Sequence, residues 1–415
     1  MSHRTIVIGG GVIGACSAYY LARAGRRVTI IDRGEFGRGC SHANCGYVCP
    51  SHALPLAAPG AVWSSLKTCF HRNSPLKIHP RTVLANLGWF FRFARKCNRR
   101  DMLGHGKAIS SLLNSSRSLF AELIEKERLD CEWETQGLLF VFQSQKAFDH
   151  FSHTNDLLRE QFDMGAWRLE AEELLGFEPS LKPGSAGGYH FEGDAHLRPD
   201  RLMSELKRVL ISLGVEIREH CEATGFISEN GKAKAVITSF GELTAEEFIV
   251  AAGAWTPLLN RELGCRVPIQ PGKGYSITMA RPEICPTHPL IFEEHHVAVT
   301  PFQSGYRLGS TMEFAGYDET MDRSRLAILT DAAKLYLREP LTEPVREEWW
   351  GWRPMTFDGL PIIDRSPAMS NVLIAAGHNM LGLSMATATG KLVSEVLGKE
   401  KPHIDIGPYC LRRFA

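Results

Sequence analysis

Thr5-Ile6-Val7-Ile8-Gly9-Gly10-Gly11-Val12-Ile13-Gly14 is the stretch that decides the fold of this 415-residue chain. Its four leading residues, mostly β-branched, read as a strand buried on both faces of a parallel sheet. A glycine turn follows, then a helical pattern through Tyr19, Tyr20 and Leu21 toward Gly25. A second strand, Val28-Thr29-Ile30-Ile31, ends in Asp32. In this arrangement Gly9 permits the tight turn, Gly11 leaves room for a pyrophosphate, and Gly14 lets the helix approach the sheet. Val12 and Ile13 open the helix, where free N–H groups and the dipole favour phosphate. Asp32, 21 positions beyond Gly11, is placed to accept hydrogen bonds from ribose hydroxyls. Its carboxylate repels a 2′-phosphate, which disfavours NADP. The turn alone does not separate NAD from FAD.

Nucleotide-domain signals resume after a long interruption. Residues 199–213 form an amphipathic helix pattern with Leu202, Leu206, Val209 and Leu210 on its apolar side, followed by the strand Val215-Glu216-Ile217. A hairpin is predicted over 222–240 around Asn230-Gly231. Phe248-Ile249-Val250-Ala251-Ala252-Gly253 is another buried strand, and Val372-Leu373-Ile374-Ala375-Ala376-Gly377 repeats its pattern. The small-residue run from Gly382, Leu383 and Ser384 to Gly390 then enters a helix. A late helix N-terminus aimed at the cofactor suits a flavin, because its N–H groups stabilise negative charge at the N1/O2 edge of the reduced ring. A purely structural crossover is the competing reading of that run.

The expected architecture is α/β. A split Rossmann-like FAD-binding domain takes residues 1–60, 191–264 and 346–415. A second, α+β substrate domain on a mainly antiparallel sheet takes 61–190 and 265–345. Strands are expected at 137–142, 274–279, 296–300 and 306–310, and a helix at 323–338.

Hydrophobic residues make up 44% and charged residues 22%, ordinary globular usage that argues against disorder. Lys plus Arg is 47 and Asp plus Glu 46, a net charge of +1 that makes no global case for nucleic acid. Eleven scattered cysteines fit a reduced, cytoplasmic protein better than a disulfide framework. No transmembrane segment is expected, and the start reads as strand and turn rather than as a signal peptide. Local charge differs from the total. Residues 36–100 contain no Asp or Glu, and 61–100 carry three Lys and six Arg among Trp63, Phe70, Trp89, Phe90, Phe91 and Phe93. Peripheral contact with the inner face of a membrane is one reading of this stretch. Inward packing of the rings, with the cations in water, is the other.

Metal binding is not expected. Cys40, His42, Cys45, Cys49 and His52 lack the paired spacing of a zinc centre, and His295-His296 would point to opposite sides of a strand. No Ser–His–Asp arrangement can be read from the order of residues.

With Asp32, the glycine turn resembles the start of the FAD-dependent D-amino-acid dehydrogenase and glycine oxidase superfamily. Further matching stretches are Ser41-His42-Ala43-Asn44-Cys45-Gly46, Ala57-Ala58-Pro59-Gly60, Ala251-Ala252-Gly253-Ala254-Trp255, the run from Trp352 to Ile363, and Gly377-His378-Asn379-Met380-Leu381-Gly382-Leu383. The small-subunit type of D-amino-acid dehydrogenase is the branch it resembles most. The resemblance implies noncovalent FAD held partly by Asp32, Arg33 and Ser41 to Asn44. It also implies oxidation of a small amino or imino acid by hydride transfer from Cα to N5, with electrons passed to a quinone or another acceptor. Cys45-Gly46-Tyr47-Val48-Cys49-Pro50-Ser51-His52 departs from the usual Ala-Gly-Gln-Leu-Ser-Pro pattern of that branch. The departure brings cyclic substrates such as D-proline or hydroxy-D-proline into view. A glycine- or sarcosine-type oxidase producing peroxide, or a non-catalytic flavin-binding subunit, are the alternatives.

Within that chemistry Arg353 is the first candidate clamp, since guanidinium pairs bidentately with a carboxylate. The matching arginine of the family reaches substrate. Arg307 is a second clamp candidate and Tyr275 a candidate to close the pocket or bond the carboxylate. His378 is expected to border the flavin, and His42 and His52 to contact cofactor or substrate. Trp349, Trp350 and Trp352 are candidates for an apolar wall. Each has a structural alternative in ion pairing or core packing.

Overall fold

The computed structural model describes residues 3–63 and 74–414. The first sheet has six strands in the order Ile362–Arg365, Val372–Ala376, Glu247–Val250, Arg4–Ile8, Arg27–Ile31 and Glu216–Arg218. All neighbours are parallel except the first pair. Chain segments far apart in sequence thus meet in one sheet, and their C-terminal turns open on the same side. Helices Val12–Arg23, Pro199–Ser212 and Ala386–Gly398 contribute Val12, Leu202, Leu206, Leu392 and Val393 to the core that covers one face. The opposite face is closed by a three-stranded antiparallel sheet, Ala223–Glu229, Lys232–Thr238 and Gly241–Thr244. Sequence reading anticipated its first two strands; the third is short and mostly exposed, so it lacks the apolar alternation that marks a strand.

The second sheet is mainly antiparallel and has nine strands. Its central members are Ile269–Met279, Gly305–Phe314 and Val297–Phe302, with Val345–Thr356 at one edge. Helix Arg323–Tyr336 covers one face, packing Leu326, Leu329 and Ala333 against Ile277, Val299 and Leu308.

Two elements join different partners from those their place in the sequence implied. Strand Val345–Thr356, grouped above with the nucleotide-binding segments, pairs along its length with Ile269–Met279 in the second sheet. The chain returns to the first sheet only at Ile362. Helix Arg99–Glu127, grouped with the substrate block, packs on the last helix, where Ser116 Oγ lies 2.7 Å from Thr387 Oγ1. Its apolar stripe of Ile109, Leu112, Leu113 and Phe120 is complementary to that core, and a linear reading cannot show which core a stripe faces. His295 ends a short 3-10 turn and His296 is left-handed at φ 50°, so neither occupies a strand; the ladder starts at Val297.

In the basic segment, Trp89 turns inward against Phe314, Met355 and Phe357, and its Nε1–H donates to the Pro268 carbonyl at 2.9 Å. Phe90 and Phe93 pack against the same cluster, whereas Phe91 stays exposed. Phe70 lies outside the described residues. Among the described residues no helix is long and apolar enough to cross a membrane.

Candidate active site

A cavity of about 820 Å³ runs between the two sheets. One end is built by the turns of the first sheet: Gly9, Gly11, Val12 and Ile13, then Asp32 and Arg33, then Ala251 to Trp255. Gly14 does not line it. A Cβ on Gly14 would fall 1.9 Å from the Gly9 carbonyl oxygen, so this glycine holds the helix against the turn. Asp32 accepts from the Gly10 N–H at 2.6 Å and from the Gly34 N–H at 2.8 Å. Burial pushes its carboxyl pKa up against these two donors. Ser41 Oγ accepts the Val12 N–H at 2.9 Å, tying the loop 40–46 to the helix start. The Arg33 guanidinium lies over the Trp255 ring at 5.2 Å.

The loop then crosses the second sheet. Tyr47–Val48 pairs with Ala195–His196, and Ser276 Oγ–H donates to the Ala43 carbonyl at 2.8 Å. Sheet and loop can approach because the facing strand positions are glycines. A Cβ on Gly309 would meet Cys45 Sγ at 2.7 Å, and one on Gly351 would lie 3.3 Å from Cys40 Cα. Sequence reading missed this stripe, although glycines inside strand patterns commonly mark a close backbone approach.

Arg353 lies across the same stripe, its guanidinium carbon 2.3 Å from where a Cβ of Gly274 would stand. Its Nη1 donates to the Thr311 carbonyl at 2.7 Å and Nη2 reaches the Ser310 carbonyl at 3.4 Å. Those carbonyls belong to a register shift in Gly305–Phe314 where Ser310 has φ 113° and Thr311 φ 51°. Backbone in this region is costly for residues with a Cβ, and here it turns two acceptors onto one cation. Among the described residues Arg353 has no carboxylate partner. Burial opposes its charge, and the opposing influence nearby comes only from the Cys45 and Cys40 thiols. A cavity-lining guanidinium with no carboxylate partner among the described residues has the chemistry to hold an anion.

The other candidates are distributed differently. Arg307 does not line the cavity: it is 1% exposed, with Nε–H on Thr278 Oγ1 at 2.8 Å and Nη1 on the Asn44 carbonyl at 2.8 Å. It supports the flavin-side loop from behind. Tyr275 borders the cavity, but its hydroxyl donates to Glu313 Oε2 at 2.5 Å and its ring sits in the core with Ile277. His42 is outside the lining, with Nε2 2.8 Å from Glu347 Oε1. Gly377 is likewise behind the wall, packed on Thr356. Ala43, Asn44, Gly253, Gly382, Leu383 and Ser384 all line it. So do Trp349, Trp350 and Trp352.

His378 also lines the cavity. It is buried, its Nε2 is 3.0 Å from Thr389 Oγ1, and burial pushes its pKa down to about 3. It is therefore neutral at ordinary pH. His52 lines the cavity beside Phe140, and burial pushes it down to about 4.

The residues present fit FAD. The glycine turn, Asp32 and the late turn 382–385 converge on one elongated cavity, and Trp352 Nε1–H is buried with no acceptor among the described residues. A polar atom stranded in this way calls for a bound acceptor.

Residues 4–396 match the FAD dependent oxidoreductase family, DAO. A D-amino acid dehydrogenase of Agrobacterium fabrum (strain C58 / ATCC 33970) is 31% identical over 418 residues, covering 99% of each chain. Another, from Methylobacterium nodulans (strain LMG 21967 / CNCM I-2342 / ORS 2060), is 32% identical over 413 residues, covering 97% of this chain and 96% of the relative. In fold the chain is similar to glycine oxidase from Geobacillus kaustophilus, with TM-score 0.80, 22% identity and 99% of each chain covered. It is similar also to L-proline dehydrogenase from P. horikoshii, with TM-score 0.73, 21% identity, and 100% of this chain and 98% of that one covered. The glycine turn, the split sheet and the cavity beneath it are thus those of a known enzyme group, and the chain belongs to the DAO family of FAD-dependent oxidoreductases.

Proposed function

We propose that this enzyme dehydrogenates a D-amino acid or a cyclic D-imino acid, with D-proline and hydroxy-D-proline as leading substrates. The observation that carries the reading is Arg353, a cation lining the cavity with no acid among the described residues to neutralise it. A substrate carboxylate completes that charge and docks on the free edge of the guanidinium. FAD, when bound, supplies the hydride acceptor at N5 for the hydrogen leaving Cα. The chain's own work is to orient and to exclude water. Arg353 fixes the carboxylate, and Trp349, Trp350, Met380 and Leu381 give the space largely apolar walls. His378, kept neutral by burial, adds no competing positive charge there. Gly9, Gly11, Val12, Ile13, Asp32, Arg33, Ser41, Ala43, Asn44, Gly253, Gly382, Leu383 and Ser384 are the residues we assign to holding the cofactor. The altered loop at Tyr47, Cys49 and His52, which borders the cavity, supports the narrower assignment to a ring substrate.

Anaerobic mixing of the holoenzyme with D-proline, trans-4-hydroxy-D-proline and D-alanine is expected to bleach the oxidised flavin for at least one of them. Failure across a broad D-substrate panel rejects the assignment. Rapid reduction of a quinone or dye with slow oxygen turnover supports a dehydrogenase; stoichiometric peroxide supports the glycine- or sarcosine-type oxidase.

We also propose peripheral contact with an anionic bilayer. Leu87 and Phe91, one helical turn apart on Leu87–Lys96, are 57% and 64% exposed, and Leu84 and Trp63 are 71% and 72% exposed. Arg81, Arg92, Arg95, Lys96, Arg99 and Arg100 lie close to them in the chain, which suits acidic headgroups. Flotation with vesicles containing anionic lipid is expected to carry the protein at low salt and release it at high salt. Replacing Leu87 and Phe91 with serine is expected to abolish flotation. Absence of any salt-sensitive association refutes the contact.

A further inference from the structure

We infer that His52, Ser51 and Asp194 form a proton relay that accepts the substrate's amine proton during the reaction. The inference rests on the amine-oxidation reading above. Its geometry comes from three adjacent bonds. The Ser51 backbone N–H donates to Asp194 Oδ1 at 3.0 Å, and the Ser51 hydroxyl donates to Asp194 Oδ2 at 2.5 Å. The same hydroxyl oxygen lies 3.1 Å from His52 Nδ1. With Asp194 ionised, the hydroxyl's one proton is committed to it, so Nδ1 carries the hydrogen of this contact. That leaves Nε2 as the bare acceptor on a ring lining the cavity. Among the described residues Nε2 has no hydrogen-bond partner of its own.

Asp194 closes the relay. It is 1% exposed, in the turn between strand Gly187–Phe191 and strand Ala195–His196, while its neighbours Glu192 and Gly193 are exposed. The charged group facing it is Arg117 of helix Arg99–Glu127, which donates Nε–H to the Gly193 carbonyl at 3.3 Å; the Cys49 thiol is the other titratable neighbour. Burial raises Asp194 to about 7, with Ser51 and Arg117 opposing, and lowers His52 to about 4. The ring is thus a poor place for a proton to stay and the carboxylate a good one. The relay also answers a chemical need. The amine must lose a proton for its lone pair to form the C=N bond, and His378 Nε2 is already engaged 3.0 Å from Thr389 Oγ1.

The balance is one proton and no electrons. A substrate N–H proton passes to His52 Nε2, the Nδ1 proton to Ser51 Oγ, and the Ser51 hydroxyl proton to Asp194 Oδ2. The hydride leaves Cα separately. After product release Nε2 gives its proton to cavity water, and the proton held on Asp194 returns through the Ser51 hydroxyl to Nδ1, which restores the starting form of His52.

The sign of the pH dependence follows. Asp194 accepts a proton only when ionised, so the rate of flavin reduction by substrate is expected to fall as pH drops through about 7. In Asp194→Asn the group cannot accept, and the rate at pH 7.5 is expected to be about 100-fold lower. It should recover toward the wild-type rate at pH 10, where the substrate amine deprotonates in bulk water. A deficit of the same factor at every pH, or no deficit, overturns the relay. If that variant does not fold, Ser51→Ala serves the same comparison. A readout free of turnover is the ¹⁵N spectrum of histidine-labelled protein. Wild type is expected to show His52 protonated at Nδ1, and an Nε2-protonated ring overturns the relay. Bleaching of wild type with no change in the variants defeats this inference alone; failure of wild type to bleach with any D-substrate defeats the proposed function as well.

Discussion

Arg353→Leu is expected to weaken binding of a carboxylate substrate by about 30-fold or more while the protein still purifies with FAD. The guanidinium spends one edge on the Ser310 and Thr311 carbonyls and keeps the rest for the cavity. Removing one partner of a buried charged pair costs about 2–5 kcal/mol, and each 1.4 kcal/mol is about tenfold. The two carbonyls also lose their donor, so a modest fall in stability accompanies the loss of affinity. Arg353→Lys separates charge from shape: it keeps the cation but not the planar fork, and should bind between the two. The measurement is a spectral titration of bound flavin with an unreactive carboxylate ligand, followed by anaerobic reduction kinetics. Unchanged affinity in the leucine variant would remove the clamp from the account.

Gly14→Ala is expected to release the cofactor and to lower stability by about 3 kcal/mol. The new methyl would stand 1.9 Å from the Gly9 carbonyl oxygen and 3.3 Å from Val7 Cγ1, and the first of these is backbone that cannot swing aside. Helix Val12–Arg23 must therefore retreat, and the turn that approaches the phosphates opens with it. Gly104→Ala is the matched control. It lies inside helix Arg99–Glu127 with nothing within 4 Å of the added carbon, so alanine there should be neutral or stabilising by up to about 1 kcal/mol. Thermal melts and the flavin-to-protein absorbance ratio read both variants. Full flavin content in Gly14→Ala would count against the packing argument.

The nucleotide end was legible because its signals are local. Strand, glycine turn, helix start and Asp32 fall within one short stretch, and each residue's task follows from its neighbours in the chain. The substrate end is written across strands. Arg307 and Arg353 look alike in sequence, each on a predicted sheet segment, and they share a sheet face. Their partners on Ile269–Met279 are Thr278 and Gly272, six residues apart. The Arg353 guanidinium reaches back over Gly274 to the Ser310 and Thr311 carbonyls and lines the cavity, whereas Arg307 is taken up by Thr278 Oγ1 and the Asn44 carbonyl. Pairing register alone decides which arginine meets the cavity, and register is not local. Tyr275 shows the same limit: strand alternation sends its ring to the helix-covered side with Ile277, whereas Gly274 faces the loop. His52 is legible as a contact, but its link to Asp194 runs through Ser51, which lies 143 positions from that acid in the chain.

The bare backbone at 274, 309 and 351 constrains how this enzyme's substrate range can change. Any side chain introduced on that surface would collide with Arg353, Cys45 or the Trp349 ring before it touched a substrate. New selectivity must then come from the loop that carries Met380 and Leu381, which also line the cavity. Random libraries aimed at those two positions should yield altered preference with intact folding, whereas libraries on the three glycines should mostly yield unfolded protein.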